Sequence, residues 1–186
     1  MLKAESMDVL KSKYLHRLTK ILAISFASVV CLASFPTFSQ PDLSDYDELA
    51  SGANLARVSQ DGSDSSLNLF QSGSANRFQS HQFGFNNSIN VNQQGSHHIA
   101  GLRQSGANIE AEILQVGFGN AVVSLQHGEN LYLDVMQTGT GNLALIKQSG
   151  YDNSIEIQQH GSGNAVGVLQ WGNSQDVVIT QSNLSN

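Results

Sequence analysis

The stretch Gln159-His-Gly-Ser-Gly-Asn164-Ala-Val-Gly-Val-Leu-Gln170 holds the plan of the whole chain. It opens and closes on glutamine eleven residues apart, with glycine second after the first glutamine, asparagine fifth, and apolar residues seventh and ninth. Outward from it the glutamine returns at every eleventh residue: Gln60, Gln71, Gln82, Gln93, Gln104, Gln115, Gln126, Gln137, Gln148, Gln159, Gln170 and Gln181. Glycine follows two residues later at Gly62, Gly73, Gly84, Gly95, Gly106, Gly117, Gly128, Gly139, Gly150, Gly161 and Gly172, and Asn183 stands in the last such place. A period held through twelve units without insertion marks stacked supersecondary units.

The fifth position is asparagine at Asn76, Asn87, Asn120, Asn142, Asn153, Asn164 and Asn186, with Ser65, His98, Ile109, Leu131 and Gln175 as exceptions. Pairs such as Ile89/Val91, Leu133/Val135 and Ile155/Ile157 fill the seventh and ninth positions. Positions five, seven, nine and eleven share one parity, so in an extended strand they face one side. The expected unit is a strand of about seven residues and a glycine-bearing turn of about four, which places strands at 54–60, 65–71 and onward to 175–181.

Even-numbered strands carry mainly large inward pairs (Leu67/Leu69, Leu133/Val135, Val177/Ile179), while most odd-numbered ones include a small residue (Ala56, Ser80, Ala100, Ser124, Ala144). Large facing small is how two sheets about 10 Å apart interdigitate. The rung is therefore two units long, and the expected fold is all-β, a two-sheet β-solenoid of cross-β type with six strand-turn-strand rungs. Stacked glutamine and asparagine amides would then donate and accept along a ladder, which satisfies them only in register. A slip of one residue would turn every glutamine and aliphatic outward. The glycines would supply positive φ in the turns. After Pro41 the chain has no proline, so no ladder donor is lost to one.

Residues 1–39 read as a secretory signal peptide: Lys3, Lys11, Lys13, Arg17 and Lys20 precede an apolar run from Ile21 to Phe35, with cleavage expected after Ser39. Cys31, the only cysteine, lies within it, so the mature chain would hold no thiol. Residues 40–53 read as a flexible acidic leader, and residues 54–186 as the repeat domain. After cleavage Arg57, Arg77, Arg103 and Lys147 stand against thirteen carboxylates, a net charge near −9. That balance argues against nucleic acid and anionic membrane as electrostatic partners.

No catalytic, metal or cofactor site is expected. The carboxylates fall on outward strand positions or turns, and His81, His97, His98, His127 and His160 are scattered; His97-His98 is weak as a metal pair. A calcium-binding nonapeptide repeat would need aspartate in a glycine-rich frame that is absent, and an ice-binding solenoid would need ranks of outward threonine. A soluble β-solenoid adhesin is the main alternative, although no capping element is visible. Outward positions differ between strand sets. Even strands carry Glu110, Glu112, Asp134, Glu156 and Asp176, while odd strands show Val123, Leu125, Leu143, Leu145, Ala165 and Leu169, a candidate docking face.

Units such as Gln71-Ser-Gly-Ser-Ala-Asn76-Arg-Phe-Gln-Ser-His-Gln82 resemble the curlin repeat, Gln-x-Gly-x-x-Asn with the next glutamine eleven on, over residues 54 to 181. Curlins are subunits of curli, the functional amyloid fibres of Gram-negative surfaces. The resemblance implies export through an outer-membrane curli secretion pore with accessory proteins, then extracellular assembly into cross-β fibres of the biofilm matrix. Partners implied are the major curlin subunit and the chain itself. The ending Gln170-Trp-Gly-Asn-Ser-Gln-Asp-Val-Val-Ile-Thr-Gln181, with Gln175 for asparagine and Asn183 for glycine, resembles the minor, surface-associated subunit that nucleates the fibre. The major fibre subunit is the alternative within the family. Five repeats are usual there and six are expected here.

Overall fold

The computed structural model describes residues 52–183. The expected signal peptide, the leader up to residue 51 and residues 184–186 lie outside the described residues. The elements are β1 (Leu55–Ser63), β2 (Ser66–Ser74), β3 (Arg77–Phe85), β4 (Ser88–Ser96), β5 (Ile99–Phe118), β6 (Ala121–Thr140), β7 (Leu143–Ser162), β8 (Ala165–Asn173) and β9 (Asp176–Asn183). Every pairing is parallel and joins residues 22 apart, as in Gln60↔Gln82, Gln93↔Gln115 and Gln137↔Gln159.

The chain thus coils as a parallel β-solenoid of about 6 turns. β1 with β2, β3 with β4, and β8 with β9 make three of the rungs; β5, β6 and β7 are each a whole rung. One sheet stacks β1, β3, the first halves of β5, β6 and β7, and β8. The other stacks β2, β4, the second halves of β5 to β7, and β9. At about 4.8 Å per rung the stack is roughly 30 Å tall.

The strands are longer than the period alone suggests. Instead of seven residues and a four-residue turn, the ladder runs on through each glycine and breaks at only one or two residues, such as Asp64 and Ser65. The bend is made without leaving the stack: beyond the glycine, corner amides still donate to the preceding rung, Asn86 N to Ser63 O at 3.0 Å and Gly119 N to Ser96 O at 2.9 Å. Each such corner takes two left-handed steps. The ruler glycine supplies one, as Gly62 at φ 127° does, and the residue two later supplies the other, Asp64 at 55°.

Between the sheets lies one core. Within the rung of β6, Val122 and Ser124 face Leu133 and Val135, all four essentially fully buried. Such alternation of large and small lets two sheets close without voids. Phe78, Ile89, Ile113, Ile146 and Ile157 extend the core through the neighbouring rungs.

Candidate assembly site: amide ladders and open rung edges

The twelve glutamines form two columns. In one, Gln60, Gln82, Gln104, Gln126, Gln148 and Gln170 are joined Nε2 to Oε1 at 2.6, 3.0, 3.2, 3.1 and 3.0 Å. In the other, Gln71, Gln93, Gln115, Gln137, Gln159 and Gln181 are joined at 2.7, 2.8, 2.9, 2.7 and 2.7 Å. Glutamine also reaches across the rung interior: Gln115 donates its second hydrogen to Ile99 O at 3.1 Å, and Gln82 to Ser66 O at 3.2 Å. Both amide hydrogens and the oxygen are then satisfied at full burial, which removes the cost of enclosing an amide among aliphatics.

Asparagine serves the corners. Asn120 donates to Val116 O at 3.1 Å, closing its own bend, and to Gly139 O at 3.1 Å on the next rung, while its Oδ1 accepts from Asn142 N at 3.0 Å. Asn76, Asn87, Asn142 and Asn153 repeat the pattern, and Asn164 closes its own bend through His160 O at 2.8 Å. Where asparagine is missing, His98 takes over. Its Nε2 faces Gln94 O at 3.1 Å and its Nδ1 accepts from Asn120 N at 3.2 Å, the bonds of a neutral ring with its proton on Nε2. Burial pushes its pKa below the ordinary 6.5. His97 is exposed and tilted against Phe118 with ring centroids 4.9 Å apart, while His98 is buried, so the two adjacent rings do not converge. Among the described residues no group of three or more His, Cys, Asp or Glu is placed to hold a metal ion.

One column escapes the sequence reading. The second left-handed corner residue forms its own outer ladder, Asn86 to Asn108 at 2.8 Å, Asn108 to Asn130 at 3.0 Å and Asn130 to Asp152 at 2.9 Å. The signal was there: four residues after alternate glutamines the chain reads Asp64, Asn86, Asn108, Asn130 and Asp152, the residue types that tolerate left-handed backbone.

The candidate docking residues sit on the outer face of the first sheet. Val123 stacks on Leu145 and Leu143 on Ala165, with Val123, Leu125, Leu143 and Leu145 half-buried. Leu125 and exposed Leu169 flank Lys147 in the column Ser59, His81, Arg103, Leu125, Lys147 and Leu169, so the apolar strip is edged with the cations Arg103 and Lys147.

Among the described residues no strand pairs with the outer side of either end rung. β1 is exposed along its length, and Val58, in an inward position, is 44% accessible, against 0% for Leu133 in mid-stack. Leu67, Leu69, Val177 and Ile179 are only half-covered for the same reason. The family model described as the Curlin associated repeat matches residues 128–159 and 150–182. These rungs carry curlin-associated repeats. Residues 128–182 are thus similar to the repeat of the curlin family. The rungs before residue 128 keep the same register, so the 22-residue stack continues unbroken back to β1. No curated protein and no solved structure matches the chain.

Proposed function

We propose that this chain is the minor, surface-associated curli subunit: exported through the outer-membrane secretion pore, held at the cell surface, and used as the first template on which the major curlin folds. The observation that carries the reading is the open β1/β2 rung edge, which presents strand donors and acceptors, the unfilled Oε1 acceptors of Gln60 and Gln71 and half-covered Leu67 and Leu69. An unfolded chain meeting such an edge gains a ready-made parallel partner, so the slow closure of nonlocal contacts is bypassed. The strip of Val123, Leu143 and Leu145 is the proposed contact with the cell surface.

A seeding assay tests the proposal. Small amounts of the folded chain, residues 40–186, added to monomeric major curlin should abolish most of the lag in thioflavin fluorescence. An unchanged lag, with the chain itself polymerising readily as bulk fibre, would make it the major subunit. A stable monomer that forms no fibre and seeds none would leave the soluble adhesin.

A further inference from the structure

The two ends of the stack are chemically unequal, and the corner glycines show why. At each ruler glycine from Gly62 to Gly161, an added Cβ would overlap the backbone carbonyl oxygen of the residue 22 later, on the rung above. A side chain there is excluded by whatever stacks on top, beyond any matter of φ. The position after Gln181 breaks this rule. Asn183 pairs with Gly161, carries a Cβ, is absent from the residues of positive φ, and folds its amide back to donate to Ser162 O at 3.1 Å on the rung below.

The same end turns inward elsewhere. In every ladder bond the earlier glutamine donates to the later one, yet Gln170 donates to Gln175 O at 2.8 Å within its own rung. The β1/β2 edge is the opposite case: Gly62 and Gly73 leave both corners bare, and Gln60 and Gln71 offer unfilled Oε1 acceptors toward an incoming rung.

We infer that the β1/β2 edge is the docking face for a chain of the same 22-residue repeat whose last rung has glycine at both corners, and that Asn183 closes the β8/β9 edge to further rungs. The inference rests on the fibre-template reading above and adds its polarity. Continuing the register of one copy onto another would place Gln170 over Gln60, Gln181 over Gln71 and Asn183 over Gly73. The Asn183 contact fails outright and the Gln170 contact forms only if Gln170 releases Gln175 O, so the chain is a poor partner for its own kind and its β1/β2 edge a good base for a glycine-cornered one.

The test uses folded wild-type chain as seed and three monomers: wild type, Asn183→Gly and Asn183→Ala. Asn183→Gly supplies the glycine-cornered rung and should extend the seeds at least about tenfold faster than wild type, the equivalent of removing one strained position. Asn183→Ala keeps the Cβ and should stay within about twofold of wild type, since it is the Cβ and not the amide that meets the carbonyl. Time-lapse atomic force microscopy should show Asn183→Gly growing from one end of wild-type seeds. Equal rates for wild type and Asn183→Gly, or an alanine variant as fast as the glycine one, would overturn the polarity while leaving fibre formation intact. If no variant forms fibres on any seed, the polarity and the template reading fall together.

Discussion

At the scale of the residue, two glycines in one corner illustrate how differently the same amino acid can be constrained. Gly117, at φ 115°, lies directly beneath the Gly139 carbonyl, and a Cβ there would overlap it. Gly119, at φ 66°, has nothing within 4 Å of the Cβ it lacks, and the matching residues of the opposite corner are Asn108 and Asn130 at 54° and 53°. Gly119→Asn should therefore change the unfolding free energy by less than about 0.5 kcal/mol, whereas Gly117→Asn should cost more than about 2 kcal/mol. Urea denaturation followed by far-ultraviolet circular dichroism reads both. That the ruler glycines need positive φ follows from their place in a turn; that they also tolerate no Cβ depends on the rung above, which no single unit contains.

At the scale of the element, each rung is a pair of strands whose inward residues must fit the facing strand and the strands above and below. Ser124 lies in a column between Leu102 and Ile146, fully buried, and its hydroxyl has no hydrogen-bond partner. Ser80 is in the same condition two rungs earlier. A buried hydroxyl without a partner carries its desolvation cost uncompensated, so Ser124→Ala should stabilise the fold by about 1 kcal/mol, measured as a raised denaturation midpoint at unchanged slope. The alternation of large and small pairs was legible in the sequence and reveals which strands face each other. The continuation of strands through the glycine corners was not, because it depends on corner amides reaching the preceding rung.

At the scale of the whole molecule, charge is segregated between the sheets. Glu112, Asp134 and Glu156 stack in one outward column of β5, β6 and β7, with Glu110 and Asp176 on the same face. Arg57, Arg77, Arg103 and Lys147 all lie on strands of the other sheet. Asp134 is flanked above and below by like charge. Burial, then Glu112 and Glu156, raise its pKa above the ordinary 3.8. A carboxyl whose folded pKa is raised takes up a proton on folding, so its penalty is present at neutral pH and is relieved as pH falls through the folded pKa toward 3.8. His98 works in the opposite sense: its folded pKa is lowered, so its contribution is intact above 6.5 and is lost as pH falls below it. Asp134→Asn should raise stability at pH 7 and remove the gain on mild acidification, leaving the decline due to His98 below pH 6.5. Thermal melts between pH 4 and 8 check this, and a variant with the wild-type pH profile would dismiss the column as its source.

What the sequence by itself determined is the coil: a fixed eleven-residue period, one parity for amides and aliphatics, and glycine at each bend leave a two-sheet stack as the arrangement that buries one face of every strand. These are properties of spacing, and spacing survives in one dimension. The tertiary structure decided the rest. It made His98 a stand-in for asparagine, gave Asn86, Asn108 and Asn130 an outer ladder, set Leu125 and Leu169 beside Lys147, and turned the Asn183 amide back onto Ser162 of the rung below. Each depends on which side chain lies 22 residues away in the stack, where only the register brings the groups together.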